Sequence, residues 1–291
     1  MNYCTPPEIA QNCVEAQVKR ATMPAGKLFI LGILAGCFIA FGAEGSTMAA
    51  HDLTSLGAGW QRFITGSVFS VGLMYVVICG AELFTGNVLM LTALFSRRLS
   101  LYDVLRNWTI VLAGNLVGAV LIAWIMYMTG LFKFNNNLLG ASALAIAVTK
   151  VNLTWSEVFF RAILCNWLVG LAVWMSFSSK DIISKVATCY IPIMTFVMSG
   201  FEHSIANMYY LPAGLFAKTL PAVVEASKLG AKVDTLTIET MVMGNWIPAI
   251  LGNIVGLGVF VATFYWYSYI RDTAAIPSGK SVSSIAATVK K

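Results

Sequence analysis

Apolar residues in this chain gather into six long runs, and the charged residues collect in the short segments between them. Runs of this length match helices of ~20 residues that cross a ~30 Å hydrocarbon core, and no alternating ten-residue pattern of a barrel strand is present. Spans are expected from Leu28 to about Ala50, Trp108 to Thr129, Val158 to Phe177 and about Met241 to Tyr269. The second run, Phe63 to Phe95, and the fifth, Val186 to Leu215, are too long. A straight helix over the second, at ~1.5 Å per residue, would be near 50 Å, so a break is required. Each over-long run carries one polar interruption at its middle: Gly80-Ala81-Glu82-Leu83-Phe84-Thr85-Gly86-Asn87 and Gly200-Phe201-Glu202-His203-Ser204-Ile205-Ala206-Asn207. Between Arg62 and Arg97 the only Asp, Glu, His, Lys or Arg is Glu82; between Lys185 and Lys218 only Glu202 and His203 qualify. Helices two and five are therefore expected to unwind over residues 82–85 and 202–205, near mid-bilayer. The fold class is all-α integral membrane.

The two interruptions are copies of one another, and the likeness extends further. Asn107-Trp108 followed by Gly114-Asn115-Leu116-Val117-Gly118 matches Asn245-Trp246 followed by Gly252-Asn253-Ile254-Val255-Gly256 with the same internal spacing. A unit of three spans has an odd number of crossings, so its second copy enters from the opposite side. The result is an inverted repeat, about 28–130 and 158–270, whose broken helices meet in the membrane. One transmembrane pore domain over 1–270 follows, with a polar, partly amphipathic lead-in before Leu28, a loop carrying Lys133, Asn135, Asn136, Asn137 and Lys150, and a disordered tail at 271–291. With both ends on one side, that side holds twelve Lys and Arg against seven, which predicts cytoplasmic termini in the cell membrane.

Composition agrees: 58% hydrophobic and 11% charged residues lie far from the ~45–50% and ~25% of soluble domains. The net charge of +6 forms no basic stripe, which argues against a nucleic-acid partner. Six cysteines show no CxxC spacing and read as small buried residues; no metal or cofactor is expected. The first glycine-dotted span (Gly32, Gly36, Gly42, Gly45) reads as a closely packed helix.

A break frees backbone groups that lipid cannot satisfy, so protein or a water-filled cavity must cover it. The N-terminus of the helix after each break carries partial positive charge, and two such ends favour a small anion. Thr85 and Ser204 add hydroxyl donors; Asn166 and Asn245, near mid-span, offer amide donors or a hold on His203. An ionisable group at bilayer depth is costly, so His203 reads as functional, a neutral imidazole able to exchange a proton with a weak acid. Glu82 and Glu202 are expected to be structural, accepting backbone N–H groups at the breaks, with Asn87 and Asn207 in the same motif. Lys133, Lys150 and Arg161 are candidates for a cationic vestibule.

These motifs, with Asn166-Trp167-Leu168-Val169-Gly170-Leu171-Ala172-Val173-Trp174-Met175-Ser176, resemble the formate/nitrite transporter family over about residues 8–270. The resemblance implies an aquaporin-like protomer of six helices, a homopentamer with one pore per protomer, and cytoplasmic termini. It implies that Leu83, Phe84 and Thr85 form the loop of broken helix two. One constriction falls to Leu73, Leu83 and Phe196, the other to Phe69, Val169 and Phe196, with His203 between them. It also makes Lys150 the vestibule lysine. Family members carry formate, nitrite, lactate, acetate or hydrosulfide, all small conjugate bases of weak acids. The expected partners are such an anion, a proton and the lipid bilayer. A neutral-solute facilitator on the same fold is the alternative, and an intramembrane enzyme lacks a second histidine at depth, since His51 falls in a loop.

Overall fold

The computed structural model describes residues 3–271. The predicted tail from 272 onward lies outside the described residues. Among the described residues the chain is helical: α1 (Pro6–Ala21), α2 (Ala25–Ala50), α3 (Ala58–Cys79), α4 (Phe84–Phe95), α5 (Leu101–Met128), α6 (Leu138–Val151), α7 (Trp155–Ser176), α8 (Ile182–Met198), α9 (Ser204–Lys218), α10 (Pro221–Ser227) and α11 (Thr240–Ile270). Five of these, α2, α3, α5, α7 and α11, are long and apolar enough to cross a membrane.

Helix α5 begins seven residues before the predicted Trp108, and α7 three before Val158. The reason is local: the hydroxyls of Ser100 and Thr154 each accept the N–H of the residue three on, Asp103 or Glu157, and their own N–H groups donate to its carboxylate. The expected loop before span four is also corrected. Residues 138–151 form α6, because past three consecutive asparagines in the left-handed region (Asn135, Asn136, Asn137) the sequence is Ala- and Leu-rich and takes the helix it prefers. Helix α11 departs from regular winding, with π-helical turns over Thr240–Trp246, Gly258–Thr263 and Trp266–Ile270.

The inverted repeat is reproduced in the packing. A Cβ on Gly118 would sit 2.0 Å from the Ile33 carbonyl oxygen, and one on Gly256 would sit 2.2 Å from that of Ile163. Gly114 against Phe29 (2.6 Å) and Gly252 against Phe159 (2.3 Å) repeat the match one turn away. Bare backbone at these positions lets α2 lie on α5 and α7 on α11 at a separation no larger side chain permits, the close approach that membrane helices use to associate.

The breaks sit two residues earlier than expected. Gly80 (φ 81°) and Gly200 (φ 75°) turn the chain in the left-handed region, residues 81–83 and 201–203 run on without helical structure, and α4 and α9 start at Phe84 and Ser204. Thr85 and Ser204 are thus first-turn helical residues. The two pieces of each broken span are not halves of one rod. Helix α3 has 22 residues, ~33 Å, and α4 another 12, ~18 Å, so the break divides the second span unequally. Helix α1 is fastened beneath this assembly: Arg98 pairs with Glu15 at 3.1 Å, and Arg106 donates to the carbonyls of Ala21 and Met23.

Candidate functional site

The two breaks are built from the same parts. At the first, Asn115 of α5 accepts the Phe84 N–H (2.9 Å) and donates to the carbonyls of Gly32 and Glu82. At the second, Asn253 of α11 accepts the Ser204 N–H (2.9 Å) and donates to Ala162 and Glu202. One amide in each half thus satisfies two backbone groups that the unwinding exposes and ties them to a carbonyl of the neighbouring helix. The Glu82 N–H reaches the Leu31 carbonyl, and the Glu202 N–H that of Arg161.

The glutamates do not receive the backbone N–H groups anticipated for them, because the asparagines take those. Their partners are side chains. Glu82 accepts from Arg20 Nε (3.2 Å) and Asn87 Nδ2 (2.7 Å), and Asn87 donates also to Asn107. Glu202 accepts from Lys150 Nζ (2.8 and 3.0 Å) and Asn207 Nδ2 (2.7 Å), and Asn207 donates also to Asn245. Each acid is thus neutralised by a cation from the last turn of a short helix, α1 or α6. Lys150 lies on a helix and is held by Glu202, with its ammonium 5.5 Å from the Tyr210 ring. Lys133 and Arg161 do not join it there: Arg161 pairs with Glu157, and Lys133 closes a short turn at Leu131–Lys133.

His203 bridges the halves. Its Nε2 lies 2.9 Å from Thr85 Oγ1, and its Nδ1 accepts the Ala206 N–H at 3.1 Å, making the imidazole the N-cap of α9. That bond assigns the neutral ring a proton on Nε2, donated to Thr85, which leaves the Thr85 hydroxyl hydrogen available to another acceptor. Neither Asn166 nor Asn245 orients the ring. Asn166 Nδ2 donates to the carbonyls of Thr85 and Asn253, and Asn245 binds Asn207 and the Lys150 carbonyl. Ser204 Oγ and Asn166 Oδ1 are buried without a protein partner.

Phe69, Leu73, Leu83, Val169 and Phe196 are all buried. Phe196 packs edge-on against Phe69 (5.7 Å between centroids) and lies 5.8 Å from the His203 ring. Leu73 and Leu83 line a cavity of about 460 Å³ together with Arg20, Lys27, Glu82 and Lys185. Phe84 packs its ring on Trp108 of α5 (5.9 Å). Sequence reasoning missed Arg20, Asn115 and Asn253. The two asparagines were signalled by the matching Gly-Asn-x-Val-Gly spacing, whereas Arg20 stands 62 residues from its partner in a lead-in whose charges read as topology.

Residues 7–267 match the family model described as Formate/nitrite transporter. The chain belongs to the formate/nitrite transporter family. Among the family's curated proteins, a probable formate transporter of Methanothermobacter thermautotrophicus is 38% identical, covering 93% of this chain and 99% of that protein. The formate channel FocA of Escherichia coli (strain K12) is 36% identical, covering 92% and 95%. Among solved structures, a pentameric formate channel with formate bound superposes with a TM-score of 0.76 at 36% identity, covering 84% of this chain and 98% of that one. The formate/nitrite transporter fold thus accounts for the helices and both breaks, and the chain is an integral membrane anion channel or transporter.

Proposed function

We propose that this protein carries small monovalent weak-acid anions of the formate type across the cell membrane, with a proton, as a homopentamer whose termini are cytoplasmic. The observation that carries the reading is the Thr85–His203 contact at 2.9 Å, which holds a hydroxyl with a free proton among buried side chains. An anion entering such a slit loses hydration, and burying an unpaired charge is costly, so its neutral conjugate acid crosses more easily. In this scheme Lys150 and Arg20 offset the charge of the break glutamates at either entrance, and the hydroxyl of Thr85, whose oxygen accepts the His203 Nε2–H, donates to the permeant oxygen. Ser204 and Asn166 stand beside them, and Phe69, Leu73, Leu83, Val169 and Phe196 exclude water. The pentameric relative with bound formate supports the substrate class and the assembly.

Proteoliposome uptake of formate, nitrite, hydrosulfide, acetate and lactate at two external pH values tests this. Flux is expected to rise as external pH falls and to drop steeply on His203→Asn. Electrogenic flux that ignores pH would replace the scheme with a plain anion pore.

A further inference from the structure

Three carboxylates lie within the six apolar runs, and two of them are matched by a cation: Glu82 by Arg20 and Glu202 by Lys150. The third, Glu44 of α2, is not. Its Oε2 accepts the hydroxyl of Tyr209, a side chain 1% exposed, while its Oε1 is buried with no partner. Two residues on, Ser46 Oγ lies 3.1 Å from the Tyr210 hydroxyl. The Tyr210 ring stacks on Phe69 and sits beneath the Lys150 ammonium. Glu44 therefore meets α9 at Tyr209, the chain neighbour of the tyrosine under Lys150, and Tyr209 is six residues along α9 from His203.

Titratable groups on α2 and on the helices packed against it have partners of their own. Helix α9 contributes Tyr209 and Tyr210, and α6 contributes Lys150, already held by Glu202. Helix α3 contributes Arg62, which donates to the Met198 carbonyl, and Tyr75. Helix α5 contributes Tyr127, which accepts from Thr219. At the end of α2 itself, His51 engages the Met48 carbonyl and Asn135, and Asp52 accepts from Asn135. None supplies a counter-ion to Glu44. A lone carboxylate with one donor in such surroundings has two ways to reduce its cost, to hold a proton or to draw in a positive charge.

We propose that Glu44 is a second proton-exchanging group of the permeation path: protonated, it is neutral, and ionised, it opposes Lys150 and hinders anion entry from that face. His203 Nδ1 is occupied by the Ala206 N–H, so any proton exchange at that ring runs through Nε2. The proposal rests on the weak-acid reading above and adds a residue to it.

The test is formate uptake by proteoliposomes of the full chain across external pH 5 to 8, native protein against Glu44→Gln. A unit charge ~10 Å from an anion at an effective dielectric of ~20 changes its local concentration roughly fifteenfold before screening, which lowers it. The variant-to-native ratio is therefore expected near one at the acid end, rising roughly three- to tenfold at the alkaline end. Tyr209→Phe should move the pH at which native flux falls, and adding it to Glu44→Gln should change nothing further. A ratio that stays flat across the range overturns the proposal. If the glutamine variant does not elute as a single species, infrared difference spectra of the native protein between pH 5 and 8 decide. A carboxylic C=O band that gives way to carboxylate and is perturbed by Tyr209→Phe supports the assignment, and its absence ends it. Native protein that takes up no formate at any pH sinks the weak-acid reading separately, and the infrared measurement still judges Glu44.

Discussion

The first break and the second share a scaffold and differ in what they present to the passage. Glu82, Asn87, Asn107 and Asn115 repeat as Glu202, Asn207, Asn245 and Asn253, with the same bonds in the same order. At the residue before each new helix, the first half has Leu83 and the second His203. At the second residue of that helix, the first has Thr85 and the second Ile205. Gly36, whose Cβ would fall 2.1 Å from the Asn115 carbonyl, is answered by Asn166, which donates to the Asn253 carbonyl at 2.8 Å. Symmetry thus governs the parts that satisfy the backbone, and the polar groups facing the passage come from departures from it. A duplicated frame can hold two unwound segments, but two leucines or two histidines facing each other would make a grease plug or a pair of like charges on protonation.

The sharpest way to break this comparison is at the shared amides. Asn253→Ala leaves the Ser204 N–H and the Glu202 carbonyl unsatisfied, at about 1–3 kcal/mol each, so a loss of roughly 2–6 kcal/mol is expected. Asn115→Ala should cost about the same, and thermal melts of the purified protein in detergent check both; unequal losses would mean the frame is not symmetric in energy. Next come the cations. Lys150→Gln strands a buried carboxylate and should cost about 3 kcal/mol, with Arg20→Gln costing less because Arg20 is the more exposed of the two, 21% against 15%. The doubly neutral Lys150→Gln/Glu202→Gln should recover most of the stability, read by the same melts.

A smaller effect is expected where the halves differ. Thr85→Val removes one neutral hydrogen bond, about 1 kcal/mol or roughly fivefold in uptake, and Thr85→Ser should restore it. The smallest contrast is between tryptophans. Trp108 Nε1 donates to the Asn87 carbonyl at 3.0 Å, whereas Trp246 Nε1 is buried without an acceptor beside the π-helical turn of α11. Trp108→Phe is expected to lose about 1 kcal/mol, and Trp246→Phe to lose less or gain slightly.

Much of the frame was legible in the sequence because it is written as spacing. The over-long runs demanded breaks, and the paired glycines, glutamates and asparagines located them to within two residues. What escaped depended on chain segments far apart. Arg20 finds Glu82 only once α1 folds beneath the bundle, and the role of Asn115 and Asn253 depends on helices brought within bonding distance by bare glycine backbone. Helix α6 escaped for a local reason: the three asparagines ahead of it read as loop, and fourteen residues are too few to announce a span.

The contacts of Asn166 and His203 with Thr85 have a mechanical consequence. They stitch one half to the other between buried side chains, where a parted bond finds few replacements. Rocking one half against the other would have to tear both seams on every cycle, whereas swinging a phenyl ring or an isobutyl group aside tears neither. Traffic through such a body is cheaper past moving side chains than around moving helices.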